Sequence, residues 1–304
     1  MKIIHLTILT LSFIGCSSIK KNKEVTSLIE RALDRCEISS QKSALRMCIK
    51  QKSKIYPLVN RLGSNKVLPT LIYYFNHGST KEKKIVTSLI QNIKEMIGDI
   101  YKNPTLLKNN VMEEMFTALE DSQKNNAQNI VPIVTYIAIL KKKEDKLFNI
   151  ANKHKISSVR NSIYRYSMKY GQLRLFDKVS EISSTAKDPS LRISALSSLI
   201  VMQNYSKKEK EIICGWSASQ LNGKRNTYEI TELSRVLLLR CSGKYINNVL
   251  DKAQKLAKKK KLRRHSLAYL LRKNRTICDK NLIKQKKSTF SQCHKLNKIR
   301  AQLK

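Results

Sequence analysis

The sequence predicts an all-α protein built as an array of αα-hairpins, and three observations carry that prediction. Apolar residues recur with the helical period along almost the whole chain, no stretch shows sustained strand alternation between hairpin turns, and polar breaks fall at short intervals. The 304 residues include only 8 Gly and 5 Pro, about a third of ordinary combined usage, which argues against turn-rich β sandwiches and Gly-looped nucleotide folds. Apolar residues make up 41% of the chain, enough for a packed core.

From the N-terminus, Met1-Lys2 makes a positive start, an apolar run extends from Ile3 to Ile14, and Gly15 precedes Cys16. The run is too short to span a bilayer and ends on a small residue, the order of an exported leader. Phe13-Ile14-Gly15-Cys16 resembles the lipobox of bacterial lipoproteins, with Phe13 where Leu is usual. The resemblance implies that residues 1–15 are a removed signal peptide and that Cys16 becomes an acylated N-terminus, carrying a diacylglyceryl group and a palmitate-like chain. Two or more acyl chains anchor a protein stably where one does not. Ser17, in place of Asp after the cysteine, resembles lipoproteins sorted to the outer membrane, which implies a periplasm-facing, lipid-anchored protein.

Residues 16–23 are polar and read as a tether, with a helical-repeat domain over 24–304. Ile85, Val86, Leu89, Ile90, Ile93, Met96, Ile97 and Ile100 form one stripe, and Ser79-Thr80-Lys81-Glu82 before it is a capping box. Further breaks fall at Glu37 to Ser40, Gly63 to Asn65, His77 to Ser79, Asn103-Pro104, Asn125-Asn126, Lys142 to Asp145, Gly171, Asp188-Pro189, Asn204 to Ser206, Leu221 to Asn226 and Ser242-Gly243. They divide the chain into about sixteen helices that pair as hairpins.

In the second half an apolar-Arg pair recurs, at Val159-Arg160, Leu191-Arg192 and Leu262-Arg263, each followed one turn on by an inward residue. Asp188-Pro189-Ser190-Leu191-Arg192 resembles the second-helix start of a HEAT repeat, and Ser157-Ser158-Val159-Arg160 with Lys169-Tyr170-Gly171 is similar to it. The resemblance is specific over about 150–203 and covers little of the first third. It implies an α-solenoid, a HEAT-like superhelix, in which the turn Asp and the helix Arg make a ladder between repeats, so that Arg160 and Arg192 are scaffold.

Seven cysteines are present, and setting Cys16 aside leaves Cys36, Cys48, Cys214, Cys241, Cys278 and Cys293. An even number in an exported chain reads as disulfides, and proximity favours Cys36 with Cys48, Cys214 with Cys241, and Cys278 with Cys293. Sequence alone permits other pairings, and buried thiols are the plainer alternative. No CxxC or HxxxH occurs, so no metal is expected.

Catalytic signatures are missing. No GxGxxG, GxxxxGK[ST], GxSxG or HExxH string occurs, and Ser17-Ser18-Ile19-Lys20 has no SDN or KTG behind it. Lytic transglycosylases also contain basic helical superhelices, but the ES and GLMQ strings of their catalytic domain do not occur here. His77, His154, His265 and His294 have no Asp or Ser pattern nearby and read as surface or packing residues. No catalytic residue and no cofactor is expected.

What remains is charge. The chain carries 60 Lys plus Arg against 22 Asp plus Glu, a formal +38. Residues 251–304 concentrate it, with 19 basic side chains and two acids. The densest run is Lys258, Lys259, Lys260, Lys261, Arg263 and Arg264, extended by Arg272 and Lys273. Near an anionic surface each such residue contributes about 1 kcal/mol. A Lys-rich, AT-biased composition also produces such runs as a merely solvated face. A second patch interleaves Arg160, Tyr164, Arg165, Tyr166, Lys169 and Tyr170, which reads as a glycan- or base-stacking face or as ordinary core tyrosine. The expected function is non-catalytic binding of an anionic lipid, a glycan or an acidic protein in the bacterial envelope. Nucleic-acid binding is the alternative, and an envelope enzyme with an unrecognised site stands third.

Overall fold

The structure, a computed structural model, describes residues 19–35, 55–90, 97, 100, 102–241, 243–259, 261–262, 266–273, 278 and 287–302. Every regular element among them is helical. The chain divides into two compact units, Met1–Thr117 and Ala118–Lys304.

In the first unit the chain is already docked at Ile19, which is buried, and the backbone N–H of Asn22 donates to Thr70 Oγ1 at 2.8 Å. The stretch read as tether up to 23 is thus fixed to the body from Ile19 onward. Asn22 then caps α1 (Lys23–Arg35), its Oδ1 accepting from Glu24 N at 3.0 Å and Val25 N at 3.3 Å. Val25, Leu28, Ile29 and Ala32 lie on one face and are buried. They pack against α2 (Ile55–Leu62), α3 (Ser64–His77) and α4 (Thr80–Leu89). Burying Leu28 or Ile29 contributes about 2 kcal/mol as an upper estimate. Between α2 and α3, Gly63 has φ 86° and its N–H bonds Val59 O at 2.8 Å, closing α2 in a conformation that favours glycine.

The capping box on α4 is present: Ser79 N–H donates to Glu82 Oε2 at 2.6 Å and Glu82 N–H to Ser79 Oγ at 3.3 Å. The stripe that predicts one helix to Ile100 is cut at Leu89, and Ile90 has left helical geometry with ψ 77°. The hydroxyls of Thr87 and Ser88 donate back to Lys83 O and Lys84 O just before that point, a local competition that weakens a helix end. Ile97 and Ile100 are buried as the stripe predicts. Ile93 and Met96 lie outside the described residues. A 3-10 turn, Pro104–Leu106, leads into α5 (Asn109–Glu120).

The second unit contains α6 (Lys124–Leu140), α7 (Glu144–Lys153), α8 (Ser157–Gly171), α9 (Phe176–Thr185), α10 (Pro189–Ser198), α11 (Lys207–Asn222), α12 (Thr227–Arg240), α13 (Gly243–Lys258), α14 (Ser266–Lys273) and α15 (Lys287–Ala301). Asn125-Asn126, read as a break, fall inside the first turn of α6. Alternate helices form a row in which α6 packs on α8, α8 on α10, α10 on α12 and α12 on α14. Beside it, α11 packs on α13 and α13 on α15, while α7, α9 and α11 each pack on the row helix that follows them.

Two arginines tie that row. Arg160 Nη1 donates to His154 O at 2.6 Å, and its Nη2 donates to Ser190 Oγ at 2.8 Å on α10. Ser190 in turn donates to Asp188 Oδ2 at 2.6 Å, while Asp188 Oδ1 accepts from Ser190 N. Arg192 repeats the pattern one helix pair later: Nη1 donates to Ala186 O at 2.7 Å and Nε to Glu229 on α12. Glu229 is 2% exposed and also completes a capping box with Asn226, through Asn226 N–H to Oε2 at 2.8 Å.

Candidate functional site

The C-terminal basic region starts on α13. Lys255, Lys258 and Lys259 are exposed, Lys252 is half-buried, and Lys261 is exposed just after the turn, where its N–H bonds Leu256 O at 2.9 Å. Leu262 is buried and pins the turn to the body. Lys252, Lys255 and Lys259 stand three and four residues apart, on one helix face. Burial, then repulsion from Lys255 and Lys259, hold the Lys252 ammonium below the ordinary lysine value. Of the two acids in 251–304, Asp251 is paired with Lys295 and Asp279 lies outside the described residues. The face therefore holds like charges that an anion would relieve. Lys260, Arg263 and Arg264 lie outside the described residues. Arg272 and Lys273 end α14, with only their backbone described.

The interleaved patch on α8 separates into two parts. Arg160 and Tyr164 are buried, Tyr164 donating to Asn152 Oδ1 and Arg160 serving the ladder. They are scaffold and cannot stack on a ligand. The rest faces outward. Tyr166 and Tyr170 stack with centroids 5.7 Å apart and planes at 22°, and Tyr136 of α6 meets Tyr170 at 4.5 Å. Lys169 Nζ lies 5.7 Å and 5.5 Å from the Tyr166 and Tyr170 centroids, and Arg165 is exposed beside them. Burial, then the neighbouring Tyr166 and Tyr136, push the Tyr170 hydroxyl well above the ordinary tyrosine value, so it stays a neutral donor. Tyr136 has no sequence signal connecting it to α8, because the contact is made across the packed row.

Cys214 on α11 and Cys241 at the end of α12 form a disulfide, with Cα atoms 5.8 Å apart. Cys278 and Cys293 form a second, with Cα atoms 4.9 Å apart. Cys16, Cys36 and Cys48 lie outside the described residues.

His77 is exposed at the end of α3, as the sequence suggests; its partner is what the sequence does not show. Its Nε2 lies 3.2 Å from Glu114 Oε2, and Asn76 Nδ2 donates to the same oxygen at 2.6 Å. The arrangement joins the end of α3 to α5. His154 is buried, and its Nδ1 accepts from Ile156 N–H at 3.1 Å; burial above all holds its pKa below the ordinary value, so the ring is neutral. His294 is exposed, and His265 lies outside the described residues. Among the described residues no three His, Cys, Asp or Glu side chains converge as a metal site requires, and no helix is long and apolar enough to cross a membrane. Compared with protein-family models, curated proteins and solved structures, the chain matches none.

Proposed function

We propose that this chain is an outer-membrane lipoprotein, acylated at Cys16, whose second unit is a HEAT-like α-solenoid that binds an anionic partner without catalysis. The observation that carries the binding is the crowding of Lys252, Lys255 and Lys259 on one face of α13, with exposed Lys258 beside them and the nearby Asp251 already engaged by Lys295. Such a face gains from a polyanion what it loses by self-repulsion. The partner is a phosphate-bearing lipid or glycan of the periplasm, or an acidic protein. The repeat reading is supported by the alternating row of helices and by the Arg160–Ser190–Asp188 and Arg192–Glu229 links between successive pairs. Two disulfides fit an oxidising compartment.

A second reading, nucleic-acid binding, is favoured by the Tyr136–Tyr170–Tyr166 platform with Lys169 above it, since bases stack on such surfaces. It differs in salt response. Non-specific nucleic-acid binding falls linearly on a log–log salt plot and is similar for unrelated duplexes.

The test is fractionation of wild type and Cys16→Ser in the native host with acyl labelling and a thiol count, followed by salt titration of binding to anionic vesicles and duplex DNA. Acylated, membrane-bound wild type releasing about six thiols on reduction is the expected result. Lys258→Ala/Lys259→Ala/Lys261→Ala should then weaken vesicle binding by about 3 kcal/mol. A soluble, unacylated, fully reduced protein with steep, sequence-indifferent DNA binding overturns the envelope reading.

A further inference from the structure

A second basic surface lies in the first unit, where the chain enters the fold. An open groove of about 830 Å³ is lined by Lys20, Lys21 and Lys23 from the entering segment, Lys66 from α3 and Lys108 just ahead of α5. All five lysines are exposed. Among the described residues none is paired with a carboxylate, and the one acid on the lining, Glu24, is bound by Arg61. Lys21 leans over Tyr73, its Nζ 4.8 Å from the ring centroid, and the others project unpaired. One exposed apolar group stands among them, Leu106, 42% exposed; Pro69 and Val111 on the lining are buried. A smaller cleft of about 520 Å³ shares Lys23 and Glu24 and adds Arg31 and Arg61.

We propose that this groove binds anionic phospholipid headgroups and is the face that the first unit turns to the bilayer. The chemistry is that of a membrane surface: unpaired ammonium groups for phosphates, with the exposed Leu106 at the level of the headgroup–acyl boundary. The choice of lipid over a free phosphate rests on the acylation of Cys16 proposed above. Ile19 is fixed to the body, and the three residues back to Cys16 reach at most about 11 Å. That is about one Debye length at moderate salt, so an acylated Cys16 holds these lysines inside the field of the headgroups. The lipid anchor then works as a short rivet with one permitted face, and the leash expected from composition does not exist beyond residue 18.

The test places an indole at the groove by Leu106→Trp in the full chain, reconstituted in vesicles that contain either brominated phosphatidylglycerol or brominated phosphatidylcholine. Wild type, with Trp216 as its one tryptophan, supplies the background. The expected result is stronger quenching of the introduced indole by the anionic lipid, lost with Lys20→Ala/Lys66→Ala/Lys108→Ala, because three lysines are worth on the order of 100-fold in headgroup affinity. Lys20→Gln/Lys66→Gln/Lys108→Gln should repeat the loss with an unchanged thermal transition. Equal quenching by the two lipids overturns the proposal. So does a preference that survives the groove variants and disappears with Lys258→Ala/Lys259→Ala/Lys261→Ala. The mass of the N-terminal peptide reports acylation separately: an unacylated chain whose groove still selects the anionic lipid defeats the anchor reading and leaves the groove standing.

Discussion

Opening the Cys214–Cys241 bond should destabilise the second unit by an amount set by the loop it closes. The two cysteines are 27 residues apart in sequence. Loop-closure entropy for that separation is about 12 cal/mol/K, which at 25 °C amounts to about 3.5 kcal/mol. The sulfur of Cys214 is buried, so Cys214→Ala/Cys241→Ala adds a cavity contribution of about 1 kcal/mol that reduction of the native chain does not. Trp216 reports the event from two residues away on α11, packed edge-on to Phe176 at 5.5 Å. It is the only tryptophan in the chain, so its fluorescence follows the second unit alone. With a urea slope of about 2 kcal/mol/M, the midpoint should fall by roughly 1.8 M on reduction, made on a Cys278→Ala/Cys293→Ala background because reduction also opens that bond, and further when Cys214→Ala/Cys241→Ala is added. A shift below about 0.3 M in both cases refutes the reasoning, since the bond would then be constraining a segment already ordered in the unfolded chain.

Three further outcomes are expected. Glu229→Ala removes the carboxylate that holds Arg192, lies 3.9 Å from the Arg225 guanidinium and caps α12; urea unfolding followed by Trp216 should show a loss of about 3–5 kcal/mol, and Arg192→Ala should cost less on that background than in wild type, since only its bonds to Ala186 O and Lys187 O remain to be lost. Gly171→Ala places a Cβ 2.6 Å from Leu175 Cγ, and calorimetry should show a loss of about 1–3 kcal/mol. Glu232 is held above the ordinary glutamate value near 4.5, mainly by burial, against the pull of Arg235. Its raised folded pKa means that its contribution is complete below pH 4.5 and is lost as pH rises through the folded value. Glu232→Gln should therefore raise the thermal midpoint at pH 7 and leave it unchanged at pH 4; an equal effect at both would show that the carboxyl is not the source.

Local chemistry was readable before any coordinates. The capping box at Ser79 and Glu82, the ends of α3 at His77 and α8 at Gly171, and the start of α10 at Pro189 all follow from residues within four positions of each other. What was not readable depends on distant residues meeting. His77 with Glu114, Arg192 with Glu229, and Tyr136 with Tyr170 are each more than thirty residues apart, and no spacing rule reaches that far. The α8 patch stays open in sequence, between a stacking face and core tyrosine, for a related reason. Period alone places Arg160 and Tyr164 beside Arg165 and Tyr166, but burial assigns the first pair to the interior and leaves the second facing outward. The docking of Ile19 was hidden by its polar neighbours Ser17, Ser18, Lys20 and Lys21, since one apolar residue makes no period.

Arg160 and Arg192 each bond in two directions, backward to the carbonyls six and five residues earlier and forward to the next helix pair, 30 and 37 residues on. The backward bonds make each turn self-contained; the forward bond is the only part that needs a neighbour. The wiring runs one way along the row, with Ser190 as the forward partner of Arg160 and Glu229 as that of Arg192. It also orders the way the unit comes apart: an interior pair is held from both sides and a terminal pair from one, so hydrogen exchange should be fastest at the ends of the row and slowest around α10, grading along the chain as wear does along a rope.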